Sequence, residues 1–446
     1  MMLLQIYVFV FLTFWKNNKM RIFHCLLRRP CLNNLQVHPY QKYSFICSHL
    51  PTRQFSQAHE MFILLNTRTF YSQTLRNAPE KFLQTMSNPL HSCVHFMSGS
   101  GSEHVDLKRW KLIKRLFSTF LFGSTLIITI FVKRKRQKNI RELLQDCDVL
   151  PHDSNYSENM VFTSYKGYII PQNLFLKGIM RDLMGFKVRE DDIFVVSFPK
   201  TGTTWVQELV YVIATDLDFN AAQAKNLEQR FPFIEFFYPG LKIIEKTSSP
   251  RFLKSHLPYT LLPPEAQQIK PKIVYIMRNP KDVLVSYYHF LRMVKEISYK
   301  GSFEEFFKSF LDGKIPYGPI WKHYLEWWEH RNDENVLFLF YEDLHKDIVA
   351  SVKKIADFLG KSLTEEEIER IAYHCSFQQM AKNPSVNYSH WDDLDVRNKN
   401  EAEFMRKGIV GDWKNYFTKE MNQVMDEWIE EKFQSEETGL FFCYDL

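Results

Sequence analysis

Hydrophobic residues follow two alternating patterns beyond about residue 160 of the 446-residue chain. Three short apolar runs, at 192–198, 272–277 and 336–341, are rich in β-branched and aromatic residues, which is typical of buried strands. Helical spacing of apolar residues follows the runs, for example over 205–213 and 348–359. This alternation predicts an α/β fold in a single domain, with a central parallel sheet flanked by helices on both faces and joined by right-handed crossovers.

The first 140 residues differ in composition from the rest. They hold 20 of the 57 Lys and Arg and four of the 51 Asp and Glu, a balance of +16, which leaves 37 and 47, or −10, beyond residue 140. Residues 16–110 show no sustained helical or strand period. We therefore predict that residues 1–115 are a basic extension that is disordered or targeting, with a translated upstream region as the alternative. Because the chain beyond residue 140 is acidic overall, its charge gives no reason to expect a nucleic-acid partner. We predict that residues 155–446 form one domain.

An uncharged apolar segment occupies residues 116–132, with basic residues on both sides. Its length is at the lower limit of the roughly 17–25 residues of a membrane span. We expect a transmembrane helix here, with the main domain on the cytoplasmic side, because four consecutive basic residues follow it. A buried or interfacial helix is the alternative.

Seven cysteines are scattered along the chain, and none forms a Cys-x-x-Cys pair. We therefore expect neither a zinc site nor a redox pair. Only three of the seven lie beyond residue 140, which favours a reduced compartment for the main domain.

The segment 198–205 (FPKTGTTW) joins a predicted strand to a predicted helix. Gly202 permits a tight turn, and the N-terminus of the helix then presents free N–H groups to an anion. Lys200 adds a positive charge, and three threonines add hydroxyl donors. These residues predict a phosphate-binding loop rather than an ordinary capped turn. The loop differs from that of nucleotide triphosphatases because its Lys precedes its only Gly.

The segment 251–258 (RFLKSHLP) supplies a candidate base. In an extended chain Lys254 and His256 project from the same face. The positive charge of Lys254 disfavours the imidazolium form of His256, which keeps the neutral ring available as a base. By itself the pair is weak, since a single His is more often structural.

Two further groups of residues, each with at least one basic side chain, are placed to reach the crevice at the carboxyl ends of the strands, where the phosphate loop also lies. Arg278 follows the 272–277 strand and Ser286 lies eight residues later, where ligands of such sheets gather. A salt bridge with Asp282 is the alternative role for Arg278. The Arg-Lys-Gly segment at 406–408 could wrap a doubly charged phosphate, or could lie on a solvated surface.

Taken together, these segments resemble the cytosolic sulfotransferase family over residues 160–446. The resemblance rests on five ordered blocks, which are PKTGTTW at 199–205, KSHLP at 254–258, RNPKDVLVSYYHF at 278–290, FYEDL at 340–344 and RKGIVGDWK at 406–414.

The resemblance implies a P-loop-like sulfotransferase fold and transfer of a sulfuryl group from 3′-phosphoadenylyl sulfate (PAPS), with PAP as product and no metal. His256 would be the general base, Lys254 would support developing charge, and Lys200 would assist the leaving oxygen. The residues implied to bind the donor are Lys200, Thr201, Gly202, Thr203 and Thr204 for the phosphosulfate, Arg278, Ser286, Arg406, Lys407 and Gly408 for the 3′-phosphate, and Trp205, Tyr341, Cys375 and Phe377 around the adenine.

Three features depart from the family pattern. Cys375 stands where such enzymes usually have Thr, which is expected to weaken donor binding without changing the chemistry. The family's dimer motif is degraded over residues 414–423, which leaves a homodimer by that route undecided. The long N-terminal extension is the third departure.

Aromatic residues between 231 and 238 suit either an apolar pocket or a core patch. We therefore expect a small lipophilic acceptor, such as a phenol, a steroid-like alcohol or an amine. The alternatives are a membrane-tethered Golgi sulfotransferase acting on glycans or proteins, a nucleotide-dependent kinase, and a donor-binding homologue without catalytic activity.

Overall fold

The computed structural model describes residues 129–130, 133–135, 137–138, 142–433, 439–440 and 442. The chain divides into two units, 1–132 and 133–446, and every element given below belongs to the second. The predicted extension at 1–115 lies outside the described residues, as does nearly all of the predicted span at 116–132. Within the described ranges, no helix combines the length and the hydropathy needed to cross a membrane.

Seven strands form two sheets in the described part of the chain. The strands are β1 (Asp148–Val149), β2 (Phe162–Tyr165), β3 (Tyr168–Pro171), β4 (Ile193–Ser197), β5 (Phe252–Ser255), β6 (Lys272–Met277) and β7 (Val336–Phe340). The first three make an antiparallel sheet, and the other four make a parallel sheet in the order β5-β4-β6-β7. The three apolar runs of the sequence are β4, β6 and β7, so the predicted parallel α/β fold is confirmed.

The helices of this part of the chain are α1 (Gln172–Leu176), α2 (Ile179–Leu183), α3 (Thr203–Ala214), α4 (Phe219–Ala224), α5 (Leu227–Arg230), α6 (Leu241–Ile244), α7 (Pro264–Ile269), α8 (Pro280–Met293), α9 (Phe303–Leu311), α10 (Ile320–Glu329), α11 (Tyr341–Lys346), α12 (Ile348–Leu359), α13 (Glu365–His374), α14 (Phe377–Lys382), α15 (His390–Asp393) and α16 (Lys419–Phe433). Short 3₁₀ turns occupy Tyr259–Leu261 and Asp412–Asn415.

The parallel sheet is covered on both faces. In β4, Phe194 and Val196 belong to one hydrophobic cluster and Val195 belongs to the other, because successive side chains of a strand point to opposite faces. Helices α8, α9, α10 and α16 contribute to the first cluster, and α3, α12 and α13 contribute to the second. The carboxyl ends of the four strands therefore meet at one edge, between two helical layers.

Candidate active site

The predicted phosphate loop connects β4 to α3. Its backbone turns at Lys200 and Gly202, which have φ values of 71° and 105°. Two hydroxyl contacts fix the turn: Thr201 Oγ1 donates to the Phe198 carbonyl at 2.9 Å, and the hydroxyls of Ser197 and Thr203 lie 2.6 Å apart. The first N–H groups of α3 have no partner within the helix, so the loop presents donors to an anion.

Gly202 lies against an aromatic wall. A Cβ added to Gly202 would lie 2.7 Å from Cδ2 of Tyr341 and 3.2 Å from Cδ1 of Ile276. The Tyr341 ring in turn meets the Trp205 ring edge-on, with the ring centroids 5.5 Å apart. The absence of a side chain at Gly202 therefore lets the loop backbone reach the aromatic residues that were predicted to surround the adenine.

Lys200 points between two aromatic rings, with Nζ at 4.2 Å from the centroid of Phe404 and 4.6 Å from that of Phe290. Burial, followed by the positive charges of nearby Lys and Arg side chains, lowers the pKa of Lys200 to about 7. A small cleft opens here and is also lined by Ser286 and Arg406. The structure thus brings three of the predicted donor-binding residues to one cleft.

Arg278 lies at the carboxyl end of β6, beside the loop that carries the 406–408 segment. Its Nη2 donates to the Ile409 carbonyl at 2.9 Å, and its guanidinium stacks 4.0 Å from the centroid of Tyr341. Nη2 is also 3.7 Å from Asp282, so the alternative ion pair is present, but Asp282 accepts shorter hydrogen bonds from main-chain N–H groups of the 411–413 segment. Nε of Arg278 is buried and has no partner among the described residues.

The two cations of the 406–408 segment share one carboxylate. Arg406 Nη2 lies 2.6 Å and Lys407 Nζ 2.7 Å from the oxygens of Asp412, which is 1% exposed. Gly408 packs on Phe377, because an added Cβ would lie 2.1 Å from Cδ2 of that ring. Asp412 therefore holds both cations at the rim of the cleft before an anion arrives.

His256 follows β5 and its ring is oriented by β4. Nδ1 lies 2.8 Å from the carbonyl oxygen of Ser197. Because a carbonyl oxygen only accepts, Nδ1 carries the proton and Nε2 keeps the lone pair of the neutral ring. Burial, followed by the charge of Lys254, lowers the pKa of His256 well below its usual value. The ring is therefore neutral near pH 7 and has an unprotonated Nε2.

Lys254 and His256 meet the same ring, as their spacing predicted. Lys254 Nζ lies 4.5 Å from the centroid of Phe233, and the ring centroids of Phe233 and His256 are 5.1 Å apart in an edge-on arrangement. The ring of Tyr317 lies 5.7 Å from His256 on another side. Burial lowers the pKa of Lys254, against the opposing effect of Glu235.

The aromatic residues at 231–238 do not share one environment. Phe231 is 1% exposed and packs in the core, whereas Phe233 faces His256. Phe236, Phe237 and Tyr238 are 37%, 47% and 59% exposed. The core and pocket interpretations therefore each hold for different members of the run, because the chain stays beside β5 as far as Glu235 and the residues after it are exposed.

Cys375, which was predicted to lie near the adenine, follows the last residue of α13. Its side chain is fully buried in the cluster on the α3 face of the sheet. Burial raises the pKa of its thiol well above the usual value, so the thiol is neutral. Within the described residues, no group of three His, Cys, Asp or Glu side chains is arranged to hold a metal ion.

Sequence reasoning missed three buried polar residues near His256 and the cleft: Glu235, His323 and Asp412. A Glu within the apolar run at 231–238 is itself a signal, because an acidic residue in such a run is buried only when partnered. Asp412 lies inside the block at 406–414. His323 gives no signal, since its contacts join α10 to a loop 67 residues away in sequence.

Comparison with known proteins agrees with this geometry. The family model described as "Sulfotransferase domain" matches residues 190–436. Sulfotransferase 1E1 of Homo sapiens is 43% identical over 265 residues, which cover 58% of this chain and 89% of that protein. The amine sulfotransferase of Oryctolagus cuniculus is 39% identical over 285 residues, which cover 64% of this chain and 93% of that protein.

Solved structures give the same result. Retinol dehydratase in complex with androsterone and the inactive cofactor PAP superposes with a TM-score of 0.59 and 30% identity, over 68% of this chain and 95% of that chain. Mouse sulfotransferase SULT7A1 complexed with PAP superposes with a TM-score of 0.50 and 33% identity, over 62% and 96% of the two chains. The chain therefore belongs to the sulfotransferase family, and it is a sulfotransferase enzyme.

Proposed function

We propose that this enzyme moves the sulfuryl group from PAPS to a hydroxyl or amine of a small lipophilic acceptor. The observation that carries the proposal is the hydrogen bond from His256 Nδ1 to the Ser197 carbonyl at 2.8 Å. That bond leaves Nε2 unprotonated, and Ser197 is also the last residue before the phosphate loop. The candidate base and the candidate anion site are thus built on one strand end.

The donor-binding role of the cleft is supported by groups that lack a partner. Nε of Arg278 and Nε1 of Trp205 are buried and unpartnered among the described residues, and the backbone at Gly202 and Gly408 packs directly against aromatic rings. These residues suit a nucleotide with two anionic ends, and PAPS when bound supplies the activated sulfuryl group. The chain's own part is to bind the 5′ end with residues 200–204 and the 3′-phosphate with Arg278, Ser286 and residues 406–408.

In this proposal, Nε2 of His256 accepts the proton of the acceptor as that group attacks sulfur in line. Lys254 and Lys200 stabilise the negative charge that develops on the transferring and leaving oxygens, a preorganised electrostatic role. Phe233 and Tyr317 flank His256 and exclude water from it. The relatives named above for retinol, androsterone or amine ligands support a small apolar acceptor, within which we favour phenols and steroid-like alcohols.

We further propose that the catalytic domain lies on the cytoplasmic side of a membrane and that 116–132 anchors it, with 1–115 as a basic extension. The domain predicted at 155–446 is preceded by β1, which pairs with β2. A truncation that keeps this sheet whole therefore begins before Asp148.

The cytoplasmic placement can be tested in sealed microsomes. Protease protection of the catalytic domain there would support the Golgi alternative.

The test is an acceptor screen of the purified full-length chain with sulfur-labelled PAPS. We expect label to move to at least one phenol, steroid alcohol or amine, with PAP formed in equal amount. No transfer across a broad panel, together with no detectable PAP binding, would refute the proposal. Magnesium-dependent ATP binding would favour the kinase alternative, and PAP binding without transfer would favour a non-catalytic homologue.

A further inference from the structure

The main chain of His256 is held from both sides by buried side chains. Its carbonyl oxygen lies 3.1 Å from Nε2 of His323, and its N–H donates to Oε1 of Glu235. Both partners are fully buried. Nδ1 of His256 is also bonded to the Ser197 carbonyl. Three segments that are distant in sequence therefore meet at His256, which lies just outside β5.

The contact from His323 has a fixed direction. The His256 carbonyl only accepts, so Nε2 of His323 carries the proton, and Nδ1 accepts the hydroxyl of Tyr275 at 2.9 Å. Burial lowers the pKa of His323 to about 3, so the ring stays neutral across the working pH range. Its ring stacks beside Tyr275 on β6 and meets Phe198 edge-on at 5.6 Å. The donor to His256 is therefore locked by packing as well as by hydrogen bonds.

Glu235 supplies the opposite contact. It lies in the aromatic run beside Phe233, and its Oε2 is buried with no partner among the described residues. Burial raises the pKa of Glu235 to about 8. Burying a carboxyl group is costly unless it has specific hydrogen-bond partners. A residue that served only to fill the core would avoid that cost.

We propose that His323 and Glu235 are positioning residues for His256, which fix its main chain so that Nε2 points at the acceptor. The proposal rests on the proposed role of His256 as general base. Among the described residues, neither side chain is hydrogen-bonded to residues 200–204, and His323 meets the loop only through the Phe198 ring, so their loss should act on turnover and spare donor binding. Misplacing a catalytic group by ~1 Å can cost up to ~100-fold in rate.

The test compares His323→Phe with His323→Gln in the full chain. Phe keeps the ring packing and removes both hydrogen bonds, whereas Gln can donate to the His256 carbonyl and accept from Tyr275. We expect His323→Phe to lower kcat by ~10–100-fold, with Kd for PAP and KM for PAPS within ~2-fold of wild type. His323→Gln should restore kcat to within ~5-fold of wild type.

Trp327→Phe is the matched control, because Trp327 lies on the same helix and donates to the next carbonyl, that of Leu257, at 3.3 Å. It should lower the melting temperature without a comparable loss of kcat. An unchanged kcat in His323→Phe, an equal loss of PAP affinity, or no recovery in His323→Gln would each overturn the proposal.

Glu235 provides a second pair of variants in case His323→Phe fails to fold. Glu235→Gln keeps the oxygen that accepts the His256 N–H, and Glu235→Ala removes it. We expect ~10-fold or greater loss of kcat in Glu235→Ala and near wild-type kcat in Glu235→Gln. Equal kcat in the two variants would overturn the proposal. If His256→Ala itself kept full turnover, the general-base assignment would fail instead, which distinguishes the two errors.

Discussion

Replacing Gly202 by Ala should damage the donor site more than the fold. Gly202 has φ 105° and ψ 16°, beyond the left-handed region near φ 50–70° that other residues tolerate. The added Cβ would also lie 2.7 Å from the Tyr341 ring, a distance at which something must shift. The loop therefore cannot keep both its turn and its contact with that ring.

Two costs add in this substitution. Holding a non-glycine residue in a sparsely populated backbone region costs about 1–3 kcal/mol, and overpacking costs about 1–3 kcal/mol. The sum is about 2–6 kcal/mol if the loop holds its shape. If the loop shifts instead, the cost appears in donor binding, where about 2 kcal/mol corresponds to ~30-fold in Kd. We expect PAP affinity to fall at least ~30-fold.

Gly360→Ala is the matched control. Gly360 has φ 73° at the end of α12, but an added Cβ would meet nothing within 4 Å. It should cost about 1–2 kcal/mol of stability through backbone strain alone and leave PAP binding unchanged. Calorimetric Kd values and melting temperatures of both variants give the comparison. Wild-type PAP affinity in Gly202→Ala, or an equal loss in Gly360→Ala, would refute the reasoning.

Two other residues allow further predictions. The pKa of Lys200 is lowered to about 7 in the free enzyme, so its positive charge is present below pH 7 and lost above it. PAP binding should therefore weaken by up to ~10-fold per pH unit above pH 7, and binding near pH 8 should take up about one proton. Lys200→Arg should abolish this pH dependence, because arginine stays charged. Arg230→Met should lower the free energy of unfolding in urea by about 3 kcal/mol, because it removes the arginine partner of Glu208, which is 0% exposed and 2.7 Å from Arg230, and leaves only the His374 ring at 2.8 Å. Arg181→Met, which breaks an exposed pair with Asp182, should cost less than ~1 kcal/mol and serves as its control.

The sequence predicted the sheet because its strands are apolar on both faces. The runs at β4, β6 and β7 could be identified from composition alone, and the bounds agree within one residue at each end. The strand β5 was not identified as such, since it is short, follows Arg251 and contains Lys254. Its place beside β4 comes from tertiary pairing, which local pattern does not contain.

The site was predictable where one segment holds all its chemistry, as in residues 198–205. It was not predictable where partners come from distant segments. The shared carboxylate of Asp412 and the contacts of Glu235 and His323 depend on how loops fold over the sheet edge. Exposure could not be predicted for residues 236–238 either. Their apolar side chains suggest burial, but the structure leaves them exposed.

The most direct test of the account is His256→Ala, measured for both turnover and donor binding. We expect PAP to bind with a Kd within ~3-fold of wild type, while single-turnover transfer from labelled PAPS falls at least ~100-fold, the usual scale for loss of a general base. Transfer at the wild-type rate, or loss of PAP binding in proportion to activity, would contradict the assignment of His256 as the base.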